Sequence, residues 1–299
     1  MLVITGMHRS GTTFLGSLLH QTRRYAYLHE PFNKTYGIDG VKDWYPYVRL
    51  RCPTGNYARL LTFLHEGDIY YKVPAVKDRN PLKYFARKVV KSRGNIDLIK
   101  YRTVLRERQL LVKDPFLSLS AGNLVTRYHD VKVVYVVRHP AAVYESLMRM
   151  GWGFDLQALM QQVPLMEDYS NLLEFDCIPQ MGLPEVVARL WKILYAIIND
   201  QSREIGRNVH IIRHEDLCIK TLEEVERLFE FLGMKIDNLV YNFIKKYMYA
   251  DKIRAEGLSL HDFSRNSRRM AYSWKRKVKP EYEEIISIAG DVLSLYGYQ

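Results

Sequence analysis

Chemistry is concentrated first in Gly6-Met7-His8-Arg9-Ser10-Gly11-Thr12-Thr13. An apolar, β-prone run from Leu2 to Thr5 enters this stretch, and an apolar run of helical character leaves it. A strand, a glycine-bounded turn and a helix start present backbone N–H groups at the positive end of a helix, which is a cradle for an anion. The spacing from Gly6 to Gly11 is that of a phosphate-binding loop, but Thr12 stands where such loops carry lysine. The cation is Arg9, inside the loop, accompanied by the hydroxyls of Ser10, Thr12 and Thr13. A phosphate-like group is therefore expected here, without the lysine that ordinary nucleotide triphosphate hydrolysis uses. His8 reads as a residue that shapes the loop.

Three more stations follow the same plan, a strand-like run ending in reactive side chains. Tyr25 to Leu28 delivers His29-Glu30-Pro31, and Pro31 keeps Glu30 out of a helix, on a strand-exit loop. Ligands of open parallel sheets gather at such carboxyl ends. Either side chain can take a proton: the Glu30 carboxylate, which this reading favours, or the His29 imidazole, whose ordinary pKa suits the task. Leu110 to Val112 delivers Lys113-Asp114-Pro115, where Lys113 either contacts a bound anion or pairs with Asp114. Val131 to Val137 delivers Arg138-His139-Pro140, with Ser146 about two turns into the next helix, so that Arg138 and Ser146 can face one anion.

The elements that position these stations alternate. Helices are expected over Asn56–Glu66, Leu82–Ser92, Ser118–Arg127, Pro140–Met150, Asp155–Gln162, Leu183–Ile205, Asp237–Tyr247 and Pro280–Leu295. Val209 to Ile212 is a fifth strand, and Glu215 and Asp216 after it read as loop or cap residues. Thr221 with Glu224 reads as a capping box opening a helix that Gly233 stops. The near-continuous β-branched run at 131–137 suits a parallel sheet covered on both faces. Together these imply a single α/β domain over residues 1–299, a central, mostly parallel sheet flanked by helices. Residues 34–110, rich in tyrosine, form its variable acceptor-side segment, and 252–279 a basic loop.

The bulk numbers agree. Hydrophobic residues make up 47% and charged ones 26%, ordinary for a globular chain. A surplus of 44 Lys and Arg over 33 Asp and Glu, formally +11, favours anionic partners. Nucleic acid is not among those expected, since no zinc-finger, RNA-recognition or helix-turn-helix signature occurs. Cys52, Cys177 and Cys218 lie far apart without metal-ligand spacing, so no metal and no disulfide framework is expected. With no leader pattern and no membrane-spanning run, a cytoplasmic protein is expected, with peripheral membrane contact and oligomeric state left open.

The loop at Gly6–Thr13, the Val136-Val137-Arg138-His139-Pro140 station with Ser146, and Ser267 with Trp274-Lys275-Arg276-Lys277 together resemble the PAPS-dependent sulfotransferases. The resemblance implies a P-loop-like sulfotransferase fold, with 3'-phosphoadenosine 5'-phosphosulfate (PAPS) as donor and 3',5'-phosphoadenosine (PAP) as product. It assigns Gly6, His8, Arg9, Ser10, Gly11, Thr12 and Thr13 to the 5'-phosphosulfate, and Arg138 and Ser146 to the 3'-phosphate. Trp274, Lys275 and Lys277 would belong to the loop that closes over the nucleotide. Arg rather than Lys at position 9 is the pattern of the carbohydrate, protein-tyrosine and many bacterial branches. The implied chemistry is in-line sulfuryl transfer with Glu30, Arg9, His29 and Lys113 around the reacting centre, the acceptor being a small molecule, a saccharide or a glycolipid. A nucleotide- or polyanion-binding protein without turnover, and a P-loop kinase using Asp114 for magnesium, are the competing readings.

Overall fold

Five short strands lie in the order β2-β3-β1-β4-β5. They are β1 (Leu2–Thr5), β2 (Tyr25–His29), β3 (Gln109–Lys113), β4 (Lys132–Val137) and β5 (Val209–Arg213), and every pairing is parallel. The structure is a computed structural model that describes residues 1–72, 93–175, 178–248, 271–276 and 279–299. The helix expected at Leu82–Ser92, most of the basic loop at 252–279, Ser267, Lys277 and Cys177 lie outside the described residues.

Parallel strands need crossovers, and helices supply them: α1 (Thr12–His20), α2 (Gly55–Glu66), α3 (Arg93–Thr103), α4 (Ala121–Arg127), α5 (Pro140–Met150), α6 (Gln157–Met160), α7 (Val163–Leu173) and α8 (Leu183–Ile205); after β5 come α9 (His214–Ile219), α10 (Thr221–Leu232), α11 (Asn238–Met248), α12 (Pro280–Ala289) and α13 (Asp291–Leu295). Alternate strand residues feed two cores. Val3, Val112, Val133, Tyr135 and Val137 join the core built on α5, α8 and α12, while Leu2, Ile4, Leu111, Val134, Val136 and Ile212 join that of α1, α10 and α11. A strand apolar on both faces is the result, as the run at 131–137 implies.

Four local expectations are corrected. The helix expected over Asp155–Gln162 is cut short, because Gln162 turns its side chain away to hold the neighbouring 44–47 segment. Its Oε1 accepts from Tyr47 N at 2.8 Å and its Nε2 donates to the carbonyls of Trp44 (3.3 Å) and Tyr45 (3.2 Å), and Pro164 then opens α7. The helix expected from Ser118 begins only at Ala121, after a 3-10 turn at Pro115–Leu117. The last helix breaks at Gly290, where φ is +54°. The capping box does not form: α10 has no side-chain cap, and Glu224 instead pairs with Arg227 at 2.6 Å.

Among the described residues no helix is long and apolar enough to cross a membrane, and no group of three or more His, Cys, Asp and Glu is placed to hold a metal.

Candidate active site

The strand order puts β1 at the centre, with the exits of β3 and β4 on either side and β2 one place further out. Gly6–Gly11, Glu30, Lys113 and Arg138 thus all leave the same edge of the sheet.

The first loop is built by spending its early amides on buried hydroxyls. Gly6 N–H donates to Ser118 Oγ (3.2 Å), Met7 N–H to Tyr195 Oη (3.1 Å) and His8 N–H to Tyr45 Oη (2.9 Å). Gly6 has φ +142°, and a Cβ there would collide with the Val136 carbonyl oxygen on β4. Past Gly11, the amides of Thr12 and Thr13 open α1 and have no intrahelical acceptor by construction, so they face the loop's mouth as donors. Ser10 and Thr12 are buried.

His8 is held tightly. Its Nδ1 lies 2.5 Å from Tyr45 Oη, and its ring packs between Phe116 and Phe154 at 6.2 and 6.1 Å. Burial and the neighbouring Arg9 lower its pKa to about 4, so it is neutral near pH 7 and adds no charge to the cradle.

Arg9, Arg138 and Ser146 converge. Arg9 Nε donates to Ser146 Oγ at 3.0 Å, and Arg138 Nη1 donates to the Arg9 carbonyl at 3.0 Å. The Arg9 guanidinium also lies 5.7 Å over the Trp152 ring. The N-terminus of α5 contributes little to this anion station. Pro140 has no N–H, the His139 side chain takes the Ala141 amide (3.3 Å), and the His139 amide goes to Glu215 Oε1 (3.0 Å). Side chains, not helix amides, must hold the anion here. Arg138 Nε and His214 Nδ1 are buried without a hydrogen-bond partner among the described residues. Such groups are rare in folded chains and mark a place for a polar ligand.

The proton station lies on the other side of β1. Lys113 pairs with His29 across the β2–β3 ladder, and the Glu30 amide extends that ladder to the Lys113 carbonyl at 2.9 Å. The Lys113 stem runs past Gly16 of α1, where a Cβ would stand 3.1 Å from Lys113 Cγ. Its buried Nζ reaches Glu30 Oε1 at 2.5 Å, and Asn33 Nδ2 donates to Glu30 Oε2 at 3.0 Å. His29 Nε2 stands 3.8 Å from Glu30 Oε1. Burial pushes the Glu30 carboxyl upward, but the opposing pull of Lys113, then His29, brings it down to about 2.

Lys113 therefore does not pair with Asp114, the structural role considered from the sequence. The Asp114 carboxylate is taken by the amides of Phe32 and Phe116, and burial together with the nearby Glu30 charge raises its pKa to about 8. Arg9, Glu30 and Tyr45 all have φ between +45° and +70°, a left-handed conformation costly for residues with a Cβ. Three of the five such non-glycine residues among those described thus lie in this one crevice.

On the far side, Trp274 is buried and stacks on His139 at 4.1 Å, with Lys275 Nζ 5.6 Å over the Trp274 ring. Glu215, expected in a loop, is fully buried at the start of α9. Tyr45, Ser118 and Tyr195, whose hydroxyls hold the amides of the first loop, were not singled out by sequence reasoning. Nothing local marks a tyrosine whose partner lies far along the chain.

Residues 2–238 match the family model described as Sulfotransferase family. The chain belongs to that family. It is a sulfotransferase, and its α/β fold with a central parallel sheet is shared with solved members. The sulfotransferase domain from the Synechococcus PCC 7002 olefin synthase is 17% identical over 100% of this chain and 94% of that one, with a TM-score of 0.50. The sulfotransferase domain from the curacin biosynthetic pathway is also 17% identical, covering 100% and 98%, with a TM-score of 0.48. Mouse sulfotransferase SULT7A1, solved in complex with PAP, is 11% identical over 98% and 83%, with a TM-score of 0.45. No curated protein matches the sequence.

Proposed function

We propose that this sulfotransferase moves the sulfuryl group of PAPS to an acceptor hydroxyl of a carbohydrate or glycoconjugate, with Glu30 as general base. The observation that carries this reading is the pair of cations at two strand exits, Arg9 after β1 and Arg138 after β4, with Arg9 donating to Ser146 and Arg138 to the Arg9 carbonyl. A donor with phosphates at both its 5' and 3' positions needs two anion stations. Arg9, the amides of Thr12 and Thr13 and the hydroxyls of Ser10, Thr12 and Thr13 take the 5'-phosphosulfate; Arg138 and Ser146 take the 3'-phosphate. Trp274 and Lys275 cover the nucleotide.

The acceptor oxygen attacks sulfur in line, the bond from sulfur to the 5'-phosphate oxygen breaks, the acceptor proton passes to Glu30, and PAP departs with its new charge on Arg9. Glu30 with a pKa near 2 is a weak base while Lys113 holds it. The incoming sulfuryl oxygens compete for the Lys113 ammonium, and burial then raises the Glu30 carboxylate toward useful basicity. His29, 3.8 Å from Glu30, tunes that carboxylate rather than acting as the base. The flat, partly buried faces of Trp44 and Phe154 in the 34–110 segment and beyond α5 suit a sugar ring. Asp114, partly protonated near neutral pH and occupied by two backbone amides, is a poor magnesium ligand, which argues against a kinase.

Calorimetric titration with PAP and with ATP tests the donor, PAP being expected to bind more tightly; a preference for ATP would overturn the reading. Transfer from labelled donor over a panel of saccharides and phenols tests the acceptor, and transfer confined to phenols would overturn the carbohydrate assignment.

A further inference from the structure

The Arg138 turn is gripped from both sides by residues far away in sequence. Its own carbonyl accepts from Trp191 Nε1 of α8 at 2.8 Å. The next amide, His139 N–H, donates to Glu215 Oε1 at 3.0 Å. Glu215 is fully buried, and its second oxygen accepts from Tyr298 Oη at 2.6 Å. Tyr298 is itself buried, edge-on to the His139 ring at 5.2 Å and 90°, with the Arg213 guanidinium 4.4 Å over its face. Burial, then the neighbouring Glu215 charge, holds the Tyr298 phenol well above its ordinary pKa, so it stays a donor.

A buried carboxylate with one oxygen on a turn and the other on a phenol transmits the position of one to the other. Here the turn carries the guanidinium that must meet a phosphate, and the α5 amides have been withdrawn from that task. We propose that Tyr298, acting through Glu215, is a positioning residue that holds the Arg138 turn in the geometry that recognises the donor's 3'-phosphate. This inference rests on the PAPS reading and deepens it by naming a determinant of nucleotide selectivity outside every loop that touches the nucleotide.

The test is Tyr298→Phe, which keeps the ring and its packing but leaves one Glu215 oxygen without its donor. Titration with PAP should show a dissociation constant raised about fivefold, the scale of one ordinary hydrogen bond, since the effect reaches the phosphate only through the turn. Titration with 5'-AMP, which lacks the 3'-phosphate, should be unchanged within about twofold, and in an Arg138→Ala background Tyr298→Phe should add no further loss for PAP. A general structural role would lower affinity for both nucleotides alike and would act equally with and without Arg138; either result overturns the proposal, as does unchanged PAP affinity. Should the variant be too unstable to titrate, Glu215→Met, which is close in length and removes both links at once, must reproduce the PAP-selective loss or the proposal fails. If the wild-type protein binds PAP no more tightly than 5'-AMP, the donor reading itself falls and takes the clamp with it.

Discussion

The two halves of the crevice treat their cations differently. On the β1–β4 side, Arg138 donates to a backbone carbonyl, a neutral oxygen. On the β2–β3 side, the Lys113 ammonium lies 2.5 Å from a carboxylate, in an ion pair of which Lys113 is almost wholly buried and Glu30 only 20% exposed. A neutral partner gives up a guanidinium to a phosphate at little cost, whereas an ion pair gives up its lysine only to another anion. In the proposed reading, the Arg138 station is thus prepared for the donor in advance, and the Lys113 side is held inactive until the donor supplies the competing charge.

That contrast breaks most decisively at the reacting groups. Glu30→Gln should lower turnover by roughly 10²–10⁴, the usual contribution of a general base, while PAP affinity stays within about twofold. Arg9→Ala should cost roughly 10²–10³ in turnover, because its interaction grows as the leaving phosphate gains charge, and should weaken PAP binding by less than that factor. Transfer assays with labelled donor, paired with PAP titrations, read both; an active Glu30→Gln beside a dead His29→Ala would reverse the assignment of the base.

The Arg138 station should respond in binding rather than in chemistry. Arg138→Ala should weaken PAP by roughly tenfold to a hundredfold, consistent with the loss of charge-assisted hydrogen bonds, and leave 5'-AMP nearly unaffected. Equal losses for both nucleotides would mean that the guanidinium serves the loop, through the Arg9 carbonyl, more than the ligand.

Much of this arrangement is legible in the sequence, for identifiable reasons. Each station is a short local pattern, an apolar run followed by charged residues and a glycine or proline, so the five strands and the exits bearing Arg9, Glu30, Lys113 and Arg138 can be read by period and punctuation alone. What cannot be read is which exits become neighbours. The Lys113–Glu30 pair requires β2 beside β3 in a register that sets His29 opposite Lys113, and no local pattern encodes strand order. Glu215 looks like a cap because the sequence after β5 is polar; only the fold brings Tyr298 and the Arg138 turn to it. Gln162 fits a helical period and leaves it because the 44–47 carbonyls and amide offer better partners. The Thr221 and Glu224 pattern fails for a similar reason, Arg227 being the nearer partner for the glutamate.

The Lys113 side can be sharpened by pH. Replacing Lys113 with Met removes the strongest charge that depresses Glu30, so burial, opposed only by His29 and Asn33, should raise its pKa from about 2. The value of kcat/KM, which reports the free enzyme, should fall, and its acid limb, expected near pH 2 while Lys113 holds Glu30, should move upward. A pH–rate profile whose acid limb did not move would show that Lys113 is not what sets the basicity of Glu30.

The smallest effect is on stability. Because the Glu30 pKa is near 2 in the folded protein and about 4.5 when unperturbed, the unfolded chain binds more protons between those values. Stability from Glu30 is therefore fully present above about pH 4.5 and is lost as pH falls through about 2. Glu30→Gln removes this dependence and leaves the Lys113 ammonium buried beside an amide. The variant should melt below the wild-type protein at pH 6, by less than the roughly 3–5 kcal/mol of a broken, fully buried pair, since Glu30 keeps 20% of its surface exposed. As pH is lowered to 3 the two melting curves should approach one another, because the wild-type protein is then losing the interaction that the variant lacks. A gap that stayed constant from pH 6 to 3 would mean that the carboxylate is not depressed by Lys113, and the held-inactive side of the crevice would have to be redrawn with Lys113 already turned toward the donor.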